Sequence, residues 1–117
     1  MEHPEEYELM AVFESEPHML DSSTDVPFYY NKSIYKYSNP ENEVITFSMT
    51  PSYNEVSIKV SKENFEIANM NLQHISSLNV LSDNKEEKRI MLSSRKYVLK
   101  VQLKPRFSIE FTEDIEE

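Results

Sequence analysis

From Glu43 to Phe111 apolar and polar residues alternate, and this period of two constrains the fold more than any other feature of the chain. In an extended strand successive side chains point to opposite faces, so an alternating run buries one face and wets the other. The longest run is Tyr97-Val98-Leu99-Lys100-Val101-Gln102-Leu103-Lys104, with Tyr97, Leu99, Val101 and Leu103 on one side. Val56-Ser57-Ile58-Lys59-Val60-Ser61 and Phe107-Ser108-Ile109-Glu110-Phe111 repeat it. Between Glu43 and Met49, Ile45, Phe47 and Met49 alternate with Val44, Thr46 and Ser48. Turn formers separate the runs: Asn39-Pro40-Glu41-Asn42, Thr50-Pro51-Ser52-Tyr53-Asn54, Ser82-Asp83-Asn84-Lys85 and Pro105.

One stretch changes phase. Phe65 and Ile67 follow one alternation, whereas Met70, Leu72, Leu78 and Val80 follow the other. A bulge near Ala68-Asn69, or a break into two strands at His74–Ser77, restores a single inward face. Ile90-Met91-Leu92 reads as a further strand, hairpinned to residues 78–81. The pattern predicts a mainly β chain, an antiparallel β-sandwich or bent sheet of seven or eight short strands. Connections this short leave little room for parallel crossover helices. At 117 residues a single domain is expected, with an acidic N-terminal segment (1–25), a β core (26–111) and an acidic tail (112–117).

Residues 5–14 admit two readings. Pro4 and the surrounding glutamates suit the first turn of a short helix. Tyr7, Leu9, Ala11 and Phe13 alternate equally well as an edge strand, and an all-β surrounding favours that reading.

The chain contains neither glycine nor cysteine. Phosphate cradles need backbone N–H groups that approach a ligand closely, usually at glycines with positive φ, so Walker and dinucleotide loops are excluded. Turns that require positive φ must fall to Asn or Asp. Without cysteine there is no disulfide, thiolate metal site or thiol nucleophile. No apolar stretch approaches the length of a membrane-spanning helix, and the N-terminus lacks the basic and apolar regions of a signal peptide. A cytoplasmic location, in the producer or in a host cell, is therefore expected.

Charge is distributed unevenly. The first 31 residues carry eight carboxylates (Glu2, Glu5, Glu6, Glu8, Glu14, Glu16, Asp21, Asp25), and the first basic side chain is Lys32. All twelve Lys and Arg residues lie between Lys32 and Arg106, and the chain ends in a second acidic stretch; the net charge is −9. A field of one sign speaks to partners rather than to fold.

Catalytic groups are hard to assemble from this composition. His3, His18 and His74 share no metal-ligand spacing. His18 with Asp21 and Asp25 would make a weak oxygen-rich site, and His74, between Leu72 and Ile75, reads as a partly buried structural residue. The terminal carboxylates lie in polar surroundings unsuited to pKa tuning, and a nucleophile elbow needs the absent glycines. No enzyme activity, cofactor or metal is expected. Basic residues interleave with aromatics at Tyr35-Lys36-Tyr37, Arg95-Lys96-Tyr97 and Lys104-Pro105-Arg106-Phe107. The acidic ends would repel a polyanion, so nucleic acid is not the expected partner either.

The acidic N-terminal segment reads either as a solvated surface that maintains solubility or as a docking surface for a basic protein. Phe28-Tyr29-Tyr30 follows directly on the acidic segment, and tyrosine supplies rigid contact area at low entropic cost. An acidic-aromatic surface of Glu5, Glu6, Glu8, Glu14, Glu16, Asp21, Asp25, Phe28, Tyr29 and Tyr30 would suit a protein partner with a basic surface. With Tyr35 and Tyr37, the same rings are also candidates to fill the core. Small size, acidity, β-rich build and lack of catalytic groups resemble the immunity proteins of bacterial toxin systems and phage-encoded inhibitors. That resemblance is one of type, carried by no motif; it implies a non-catalytic module that neutralises a toxin or effector. The competing expectation is a structural or assembly subunit, of a virion or secretion apparatus, that forms homo-oligomers through its strands.

Overall fold

A computed structural model describes residues 1–21 and 26–113. Among these, one helix, α1 (Glu6–Phe13), and nine strands are present: β1 (His18–Met19), β2 (Ser33–Ser38), β3 (Glu43–Thr50), β4 (Glu55–Lys62), β5 (Phe65–Leu72), β6 (Ile75–Asp83), β7 (Lys88–Ser94), β8 (Tyr97–Lys104) and β9 (Ser108–Glu113). Residues 114–117 of the expected acidic tail lie outside the described residues. The strands form two antiparallel sheets, β1-β2-β3-β4-β5 and β6-β7-β8-β9. Both are simple meanders, each strand pairing with its neighbours in sequence. Mainly β architecture in antiparallel sheets is what the alternation demanded. The strand count exceeds the expected seven or eight because β1 and β2 lie in the stretch whose pattern is least regular.

Register explains the core. Across the first sheet Tyr35 pairs with Phe47, Phe47 with Ile58 and Ile58 with Met70, so one continuous apolar row faces inward. In the second sheet Leu78, Leu92 and Leu99 align in the same way. Both rows meet in one buried cluster, with Met70 packed at its margin, and α1 contributes Leu9, Val12 and Phe13 to it. The phase change between Phe65 and Leu81 is resolved by both devices at once. A register shift at Val60/Ser61 leaves Ile67 as the bulged residue of β5, and the chain breaks between sheets at Gln73-His74.

The N-terminal segment is helical, which corrects the strand expectation. Leu9, Val12 and Phe13 are buried at helical spacing, whereas Tyr7 is 68% exposed and Ala11 is exposed too. An alternating strand would have buried all of Tyr7, Leu9, Ala11 and Phe13. Glu5 and Glu8 form a capping box at the start of the helix. Phe13 stacks on Tyr35 (centroids 5.2 Å apart) and on Phe47 (4.8 Å), fixing α1 to the first sheet. α1 also touches β6, so it bridges both sheets.

Positive-φ positions fall on Asn42, Asn54 and Asn64, as a chain without glycine requires, but also on Glu14, Glu63 and His74. His74 is exposed rather than partly buried. Its place at the sheet-to-sheet corner makes it a backbone hinge residue rather than a filler of the core.

Tyr35 is fully buried, and its hydroxyl has no hydrogen-bond partner among the described residues. Burial, reinforced by the charge of Glu6, pushes its phenol well above the usual range, so it stays neutral. Tyr35→Phe keeps the stacked ring and removes a stranded polar atom. We expect it to raise stability by about 1 kcal/mol, read as a higher urea midpoint at unchanged slope; a lower midpoint would mean that the hydroxyl is bonded after all.

Candidate partner-binding surface

The structure divides the ten candidate residues into groups with different duties. Glu5 and Glu8 serve the helix first, because their side chains satisfy N-terminal backbone donors. Glu6 is exposed in the same turn. Three carboxylates at this end complement the positive pole of the helix dipole and stand together as an acidic cluster.

Glu14 sits at the opposite end of α1, about 12 Å away by helical rise. There the helix closes in a Schellman motif: Ser15 N–H donates to the Met10 carbonyl (3.2 Å) and Glu14 N–H to Ala11 (3.3 Å), with Glu14 in the left-handed region. Glycine normally occupies that position. α1 has no basic residue in its own last turn. Lys88, from the start of β7, supplies the missing charge. Its Nζ donates to the Ala11 (2.8 Å) and Val12 (3.3 Å) carbonyls and pairs with Asp83 (3.1 Å) and Glu14 (3.5 Å), while its side chain is 7% exposed. Lys104 reaches Glu14 at 3.2 Å from the end of β8. Glu14 is therefore neutralised by two lysines and contributes little to an outward acidic field.

Glu16 is exposed and lines a cleft of about 460 Å³ with Ser15, His18, Ile34 and Lys36. Asp21 is joined to Asn31 through two hydrogen bonds: its N–H donates to Asn31 Oδ1 (3.1 Å), and Asn31 Nδ2 donates to its carbonyl (2.8 Å). Asp25 lies outside the described residues. Among those described, no group of three or more His, Asp or Glu is placed to hold a metal ion, and no helix is long and apolar enough to cross a membrane.

The aromatic triplet splits as well. Phe28–Tyr30 forms a 3₁₀ turn. Phe28 points inward, packed on the core and edge-to-face with His3 at 5.3 Å. Tyr29 (43% exposed) and Tyr30 (66%) point outward and contact each other edge-to-face at 5.1 Å. Tyr35 and Tyr37 belong to the core. A second 3₁₀ turn, Pro51–Tyr53, packs against the first and presents Tyr53, also largely exposed. Leu20, 70% exposed, is drawn in by its N–H bond to the Lys32 carbonyl (2.9 Å) and by the neighbouring Asp21–Asn31 pair. The exposed apolar side chains Leu20, Tyr29, Tyr30 and Tyr53 thus gather where β2 begins and the β3–β4 turn lies.

Sequence reading missed Leu20 and Tyr53. The only signal for Tyr53 was a large aromatic within a turn sequence, a setting in which a ring has no core to enter. Lys88 was missed for a different reason. It follows Glu86-Glu87 in what reads as a solvated hairpin, and its burial depends on a helix end whose Ala11 carbonyl is 77 residues away in the chain.

Burial alone would raise the pKa of Glu14, but Lys104 and Lys88 outweigh it and hold the carboxyl below its usual value. The stability it lends is complete above the unfolded-state value near 4.5 and is lost as pH falls through the lower folded value. Glu14→Gln should therefore lower stability at neutral pH and flatten the acid limb of a stability–pH profile. Lys88→Ala, which strips donors from the helix end, should cost about 2 kcal/mol, less than a fully buried pair because its partners stay in touch with water. Parallel acid limbs for wild type and Glu14→Gln would show that the pair is energetically idle.

No family model matches the chain, and no curated protein matches it. Among solved structures, its fold is similar to a chain of the contact-dependent growth inhibition toxin–immunity protein complex from Klebsiella pneumoniae 342. The TM-score is 0.72 at 21% identity, over 97% of this chain and 96% of that one. At this identity the likeness is one of fold.

Proposed function

We propose that this chain is a non-catalytic inhibitor of the immunity type, which neutralises a toxic protein in the cytoplasm by covering a basic surface of it. The observation that carries this reading is the end-to-end fold similarity to a chain of a toxin–immunity complex. The surface chemistry supports it: a net charge of −9 with Glu5, Glu6 and Glu8 clustered on one helix turn, and exposed Tyr29, Tyr30, Tyr53 and Leu20 grouped on adjoining turns. In this reading the acids steer encounter, and the tyrosines, packed into pockets of the toxin, hold the complex. Phe28 supports its neighbours from below, and Glu14 is spent on the fold.

The test is growth rescue. The chain is co-expressed with the toxic effector domain encoded at its own locus, and the purified pair is examined for a one-to-one complex. Rescue and complex formation are expected. Tyr30→Ala should then weaken binding by about 2 kcal/mol, roughly thirtyfold, through faster dissociation. Glu6→Lys should slow association and reduce its salt dependence, leaving dissociation nearly unchanged. Glu6 is the clean site for charge reversal, since Glu5 and Glu8 also cap the helix. Failure to bind or neutralise any effector from that locus, or self-association in its place, would overturn the reading.

A further inference from the structure

Two antiparallel sheets present four edges, and in this molecule three are shortened, interrupted or partly covered. β1 is only two residues long. β5 carries the bulge at Ile67, which leaves the shorter run Ala68–Leu72 in continuous register. β6 holds Glu2 in a parallel bridge: Glu2 N–H donates to the Ser76 carbonyl (3.0 Å), and Leu78 N–H donates to Glu2 (2.8 Å). β9 is the exception. Its six residues pair with β8 from Ser108 to Glu113 without a register shift, and β8 is its one hydrogen-bonded neighbour among the described strands. Backbone groups of alternate β9 residues therefore face outward, open to pairing with another strand.

Side chains specify what that strand would carry. Phe111 lies on the same face as Leu99, its cross-strand partner, yet remains 58% exposed. Its ring is held by stacking on Tyr97 at 5.4 Å. Ile109, two residues back on that face, packs on the core margin. Glu113 continues the same face beyond Phe111, opposite Tyr97, and Glu110 stands on the other face opposite Lys100. Neither carboxylate has an ion-pair partner within 4.0 Å among the described residues. Edge strands are usually protected by lysine, proline or a bulge. β9 has none of these and offers a ledge of apolar contact area with carboxylates on both faces.

We infer that the β9 edge is a strand-docking site for an extended segment of the partner protein, with Lys or Arg opposite Glu110 and Glu113 and an apolar side chain beside Phe111. This rests on the inhibitor reading for the partner's identity, but not for its chemistry. A second copy of this chain is the poorer occupant. Pairing β9 with β9 places four carboxylates and no Lys or Arg along one seam, where opposite charges would stabilise and like charges do the reverse. Main-chain hydrogen bonds would supply affinity, and the alternating side chains would select the partner.

Two experiments test the edge. Isotope-labelled full-length protein is titrated with a short peptide containing Lys-Thr-Val-Lys, which in antiparallel pairing sets its lysines opposite Glu113 and Glu110 and its valine beside Phe111, and with its Glu-Thr-Val-Glu counterpart. Amide shifts concentrated on Ser108–Glu113, seen with the lysine peptide and lost at high salt, are expected. Their absence, their appearance elsewhere, or equal binding of the glutamate peptide overturns the inference. A Glu110→Lys, Glu113→Lys double variant should fold normally and weaken capture of the lysine peptide at least tenfold. In the second experiment, hydrogen exchange is compared in the free chain and in its complex with the effector. Rescue of growth with β9 amides exchanging as fast in the complex as free would overturn the edge and leave the inhibitor reading standing. Peptide capture at β9 without rescue would do the reverse.

Discussion

One buried ammonium holds together parts of the chain that share no local reason to meet. Lys88 Nζ lies at the carboxyl end of α1, where helix carbonyls lack partners and the dipole is negative. Asp83 brings the end of β6 to the same charge, and Glu14 carries the connection on to Lys104 at the end of β8. A cation this poorly solvated is tolerable only because two carbonyls and two carboxylates surround it. The helix in turn places Phe13 against the rings of both Tyr35 and Phe47, so the orientation of α1 and the packing of the first sheet are coupled.

The lack of glycine shapes the rest of the backbone. Asparagine takes three of the left-handed positions, where its short amide tolerates positive φ. Asn39 shows how a side chain completes a turn: its Oδ1 accepts from the N–H groups of Glu41 (3.1 Å) and Glu43 (3.0 Å). Asn54 does more than turn the chain. Its carbonyl accepts from Ile75 N–H at the start of the second sheet, and its Oδ1 accepts from the N-terminal amine. Glu14, Glu63 and His74 occupy the same region without that advantage. The surrounding structure holds them there: a Schellman closure at Glu14, a hairpin at Glu63 and a change of sheet at His74.

The fold was largely legible because strand alternation is local and strong, as in Tyr97–Lys104. The candidate surface was legible only in part. Glu5, Glu6 and Glu8 were recognisable as acids near a chain end, but not as a capped helix turn, since Tyr7, Leu9, Ala11 and Phe13 fit two periods equally well over so short a span. Phe28, Tyr29 and Tyr30 are chemically alike and adjacent, yet a 3₁₀ turn sends the first inward and the other two outward. Nothing in their order foretells that division.

By itself the sequence determined a mainly β, antiparallel chain, the faces of its long strands, the use of asparagine in its turns and the exclusion of glycine- and cysteine-dependent chemistry. These follow from nearest-neighbour stereochemistry and composition, which are complete before the chain folds. Tertiary structure decided the rest: that residues 6–13 coil, that Lys88 is buried, that Glu14 is neutralised, that Leu20 and Tyr53 join Tyr29 and Tyr30, and that β9, among the described strands, keeps the longest uninterrupted open edge. Each depends on contacts between residues distant in the chain. Burial and electrostatic environment arise only when those contacts form, so no local pattern could have encoded them.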